Sequence, residues 1–203
     1  MTTDSDGWKI SDILFGVIVP IIVGIIIIAW PTTIADVFQS IDPSFTLNAV
    51  FVEGLEEAVL LVGVPMVLGL LWNQWAGGAS GFLLGSIHAI YRSVQYAYYG
   101  YSPTDITLLG YVVSAMLTGY IAGALSKGSF SFRRMVVAGL VAGLSGGAIL
   151  LWTFVSPYST TGMGTDIAFN AFVVMLPRVI YGIVMPIIVK VFSWYGVTPR
   201  RMS

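Results

Sequence analysis

The stretch Met135-VVAGLVAGLSGGAILLWTF-Val155 runs for 21 residues without one charged side chain. As an α-helix rising 1.5 Å per residue it covers about 30 Å, the thickness of a bilayer's hydrocarbon core. Its glycines at 139, 143 and 147 repeat every fourth residue, a helical period rather than the alternation of a strand. A charge-free helix of this length belongs in lipid. Working outward from it, five more segments have the same character: Ile13 to Trp30, Val50 to Trp72, Gly77 to Tyr98, Ile106 to Leu125 and Ile167 to Trp194. The joints between them carry Pro, Gly, Ser or Asp, as in Pro31-Thr-Thr and Ser102-Pro103-Thr104-Asp105. The expected fold is an all-α integral membrane protein, one six-helix bundle over residues 1–203, in the cell membrane.

Composition agrees. Of 203 residues 57% are hydrophobic and 9% charged, against about 25% charged in a soluble domain. Nine basic residues against ten acidic ones give a net charge of −1, so no basic face exists to neutralise nucleic-acid phosphates. The chain has no cysteine, which removes disulfides, thiolate metal sites and cysteine nucleophiles together. No nucleotide-binding glycine loop or Ser/His/Asp arrangement stands in a supporting context, and the reading leans away from an enzyme.

Charge distribution sets the orientation. Lys9, Lys127, Arg133, Arg134, Lys190, Arg200 and Arg201 gather on one side of a six-span path, while Asp36, Asp42, Asp105 and Asp166 fall on the other. The positive-inside rule then makes both termini cytoplasmic. The first apolar run follows Asp4, Asp6 and Asp12 rather than a basic segment, so it is expected to be a retained helix, not a cleaved signal. Trp72, Trp75, Trp152 and Trp194 read as interfacial anchors.

Glycines recur at 77, 81 and 85, at 119 and 123, and at 139, 143 and 147. Lipid supplies no hydrophobic drive between helices, so such stripes bring backbones into close van der Waals contact. Helix packing is the first reading; a docking face for another membrane subunit is the second.

The chemistry lies in six ionisable residues inside the spans. Glu53, Glu56 and Glu57 fall at i, i+3 and i+4, on one helix face; His88 and Arg92 continue the Gly77, Gly81, Gly85 stripe; Arg178 follows Pro177, which removes a backbone donor and kinks the helix. Counted from the outer boundary, the glutamates lie at roughly 5 to 15 Å, Arg92 at roughly 9 Å, His88 at roughly 15 Å and Arg178 at roughly 17 Å. An isolated charge there costs about 2.5 to 3.5 kcal/mol. These groups must pair or meet water. Three carboxylates against two arginines leave one negative charge, which favours a cationic ligand. In the first reading the arginines only staple helices together. In the second the cluster, with Gln95 at its mouth and the loop Pro31 to Asn48 as lid, is an outward-facing pocket for a small cationic solute. Glu56, Glu57 and His88 also have the ligand types for a divalent metal. Tyr91, Tyr96, Tyr98, Tyr99 and Tyr101 form an aromatic belt beside it.

Three resemblances follow. The stretch Gly77-GASGFLLGSIHAIY-Arg92, with Thr118-GYIAGA-Leu125, resembles the glycine-rich helices of substrate-binding S components of energy-coupling-factor vitamin transporters. That resemblance implies an outward-opening pocket and partners in the membrane, including a coupling ATPase module. Glu56-Glu57 with His88 one span later is similar to the pattern of CAAX-protease and PrsW-type intramembrane metalloproteases, implying a proteolytic or inactive protease-like protein. Glu53-Gly-Leu-Glu56 locally resembles a motif of ferric-iron permeases, in which glutamates carry iron.

Overall fold

The computed structural model describes residues 58–98, 106–156 and 167–194, and the single residues Ile25 and Ile41. These residues are helical apart from the turns at 72–73, 127–131 and 156, with no strand among them, and three of their helices are long and apolar enough to cross a membrane. The expected first span and Glu53, Glu56 and Glu57 lie outside the described residues.

A π-helical segment, Ala58–Gly63, leads into α1, Val64–Leu71. Pro65 sits in the first turn of α1, where it has no N–H to give and its ring crowds the carbonyl four residues back. A wider turn upstream accommodates it, so the helix expected through residue 72 carries a π segment the apolar pattern did not mark. Helix α2, Gln74–Tyr98, begins three residues before Gly77 because Asn73 caps it, its Oδ1 accepting the Ala76 N–H at 2.9 Å. Helix α3 is Ile106–Ser126. Lys127 (φ 45°) and Gly128 (φ 73°) turn the chain in the left-handed region, and the Ser129 N–H closes the turn on the Ser126 carbonyl. Helix α4, Phe132–Val155, starts ahead of Met135 because the first turn, with Arg133 and Arg134, lies at the polar end of the helix. Helix α5, Ile167–Trp194, continues through Pro177 and Pro186.

Neighbouring helices run antiparallel. Gly77 of α2 faces Gly119 of α3, and Gly85 faces Val112, where a β-carbon on Gly85 would come 2.9 Å from the Val112 Cα. Gly69 of α1 meets the same place, its position 3.0 Å from the Gly123 nitrogen once a β-carbon is added. Three backbones therefore converge on Gly69, Gly77 and Gly119, and no side chain fits there. Between α4 and α5, Gly139 faces Gly182 and Gly143 faces Arg178. The glycine stripes are thus filled by this chain's own helices, as the packing reading expects.

Helix α3 is the centre, in contact with the π segment, α1, α2 and α4. Leu60, Leu61, Met66, Leu70, Leu84 and Leu150 fill the core around it. The outward faces stay apolar: on α5, Phe172, Leu176, Ile180, Ile183 and Ile187 are exposed along one stripe. Exposed Trp75 and Trp194 mark one end, and Trp152 lies twenty residues, about 30 Å, along α4 from Phe132. Two tryptophan levels one hydrocarbon thickness apart fit a membrane protein.

Candidate functional site

His88 is 1% exposed, in the middle of α2. One and two turns before it stand Gly85 and Gly81, whose missing side chains let α3 approach and bring Tyr111 over the imidazole. The rings meet edge to face, with centroids 4.8 Å apart and planes at 77°. Tyr111 in turn meets Phe154 of α4 at 6.2 Å and 77°. Three helices are joined by this ring column, each edge-to-face pair contributing about 0.5–1.5 kcal/mol. Arg92 lies one turn further along α2 and is half-buried.

Arg178 is 2% exposed and belongs to α5. Its stem lies over α4: a β-carbon on Gly147 would come 2.8 Å from the Arg178 Cδ, and one on Gly143 would come 2.7 Å from the Arg178 carbonyl oxygen. The glycines at 143 and 147 thus make the trough that holds an arginine between two helices. Its Nη1 donates to the Val174 carbonyl at 2.9 Å. That carbonyl lies in the turn that contains Pro177, and the guanidinium donates to it across one helical turn.

The contacts give each of the two basic groups a level in the bundle. Gly77 touches Gly69, so His88, eleven residues further along α2, is level with Ala58 on the neighbouring antiparallel segment. Gly63 faces the end of the Met185 side chain, and Arg178 lies seven residues before Met185 on α5. Arg178 faces Gly143 on α4, and Gly146 faces Ser114 and Thr118 on α3, which sets Arg178 about ten residues nearer the basic end than His88. The contacts attach His88 to α3 and Arg178 to α4. Gln95 lies on α2 two turns beyond His88.

The described residues contain no Asp or Glu. All ten carboxylates lie at 4, 6, 12, 36, 42, 53, 56, 57, 105 and 166, and within the expected spans only Glu53, Glu56 and Glu57 are available. Among the described residues no group of three metal-ligating side chains exists. His88 is the one histidine of the chain.

The sequence reading missed the hydroxyl column of α3. Thr107, Tyr111, Ser114 and Thr118 are all buried, at spacings of four, three and four, and Thr153 joins them opposite Gly110. Thr118 and Thr153 turn their hydroxyls back to Ser114 and Leu150 carbonyls at 2.8 Å, whereas Ser114 Oγ has no hydrogen-bond partner among the described residues. The i, i+4, i+7, i+11 spacing was legible; weak polarity beside charged residues drew no notice. No known protein family, no curated protein and no solved structure matches the chain, so its family and function are not given by likeness.

Proposed function

We propose that this chain is a six-span membrane protein, both termini cytoplasmic, which binds or moves a small cationic solute through an outward-facing polar pocket. The observation that carries the reading is the burial of His88 and Arg178 inside apolar helices. Ionisable groups at such depth are expensive and mark ligand pathways more often than not. π-Helical turns also occur frequently at functional sites. In this reading Glu53, Glu56 and Glu57 hold the cation, His88 ligates it or exchanges a proton, Gln95 lines the mouth, and Arg92 and Arg178 offset two of the three carboxylate charges. The partners proposed with this reading are lipid, other membrane subunits and a coupling ATPase module, as the sequence resemblance to S components implies.

The test is native mass spectrometry with elemental analysis of detergent-purified protein, before and after chelation, on the native chain and Glu56→Gln. A bound cation or organic cation lost in a stably folded Glu56→Gln supports the reading. Equal binding by the two proteins overturns it. Stoichiometric zinc, together with cleavage of a membrane substrate that stops in His88→Ala, would move the site to protease chemistry.

A second reading has its own observation. Arg178 spends a donor on its own helix and packs its stem into the α4 trough, as a helix staple does. If stapling is the whole role, replacing Glu57 and Arg92 together by leucine leaves a stable protein whose function is unaltered.

A further inference from the structure

A second charged region lies at the other end of the bundle, around the turn from α3 to α4. Lys127, Arg133 and Arg134 are all exposed there. Arg134 Nε donates to the Leu125 carbonyl at 2.9 Å, and Lys190 reaches from α5 to donate to the Phe130 carbonyl at 3.1 Å. Two of four cations are therefore oriented by backbone carbonyls, and no carboxylate among the described residues neutralises any of them. Leu125, Phe132 and Trp194 are exposed at the same end. Cations and exposed apolar side chains at one end of the bundle match the level at which lipid phosphates meet acyl chains.

We propose that this collar is a binding site for the headgroup of an anionic phospholipid. The arginine guanidinium offers paired N–H donors to phosphate oxygens, and among the described residues no partner engages the Arg134 Nη atoms. The neighbouring Phe132 and Leu125 side chains supply an apolar surface for the acyl chain. A single phospholipid can meet both features at once, its phosphate on the cations and its acyl chains on those side chains, which favours lipid as occupant. The site is separate from the His88 region, and its success or failure is independent of the solute-binding reading.

The experiment uses full-length protein in mixed micelles containing phosphatidylglycerol and phosphatidylcholine in equal amounts, with retained lipid read by native mass spectrometry. The native chain is expected to retain phosphatidylglycerol preferentially. Lys127→Asn with Arg133→Gln removes two charges while leaving the Arg134 bond to Leu125 intact, and asparagine tolerates the left-handed conformation at 127. The preference should fall by roughly fivefold per charge removed, and further when Arg134→Gln is added. No preference in the native chain, or an unchanged preference in the variants, overturns the proposal. Displacement of the lipid by inorganic phosphate alone would also overturn it, assigning the collar to a soluble phosphate ligand. Unfolding of the triple variant leaves the double variant as the deciding measurement.

Discussion

Arg178 and His88 are held by different forces, and single substitutions separate them. Arg178 donates a charge-assisted hydrogen bond to Val174 inside an apolar interface, an interaction worth about 1.5–3 kcal/mol. Arg178→Leu should therefore lower thermal stability in detergent by about 2 kcal/mol, read as a drop in Tm. Arg178→Lys should recover only part of it, since lysine has no planar fork to lay over Gly147. An unchanged Tm in Arg178→Leu would contradict the described packing. His88 presents an aromatic edge contact to Tyr111, so His88→Phe keeps ring-on-ring packing and should stay within about 1 kcal/mol of the native stability. His88→Ala, which leaves a cavity, should cost about 2 kcal/mol or more. In the solute-binding account both variants lose binding; binding retained by His88→Phe would show that the ring's shape, not its nitrogens, matters.

At the scale of the helix, small residues decide which surfaces touch. Gly119 faces Gly77, and Gly69 reaches the same point, so three helices depend on it. Gly119→Val should force them apart and cost about 3 kcal/mol or prevent folding, whereas Ala124→Val, on a half-buried position of the same helix, should be nearly neutral. Thermal unfolding of the two variants side by side checks this, and equal tolerance would refute the convergence. The glycine period disclosed that α2, α3 and α4 pack closely, because close approach in lipid leaves a sequence signature. It did not disclose partners. Gly143 and Gly147 were legible as a stripe, but that the stripe receives Arg178 depends on the α4–α5 register, which no local pattern encodes. Helix ends shifted for a related reason: Gln74, Arg133 and Arg134 are helical without being apolar, so a hydrophobicity reading stops short of them. Of the candidate site, the positions of His88 and Arg178 inside apolar helices were legible from span depth alone. Tyr111 and Phe154 were not, since a tyrosine and a phenylalanine in apolar helices resemble ordinary core residues until the register sets them against an imidazole.

At the scale of the whole chain, the absence of native cysteine makes topology directly measurable. Ser102→Cys should react with a membrane-impermeant maleimide from outside intact cells, while Ser129→Cys, in the basic turn after α3, should react only after permeabilisation. Reaction of both from outside would refute the orientation drawn from the positive charges. Charge balance across the molecule makes the stronger claim. Every described cation, Arg92 and Arg178 included, is separated in sequence from the carboxylates, and three of those carboxylates sit on one helix face of an expected span. In the proposed reading that set is buried with one negative charge in excess, which is costly unless a cation completes it. The most direct measurement is therefore the mass and elemental content of gently purified native protein compared with Glu56→Gln. The account predicts a stoichiometric cation that leaves with the Glu56 charge while the fold and Tm persist. A native protein with no bound species, under conditions where it is folded and has been offered metal and organic cations, would contradict it.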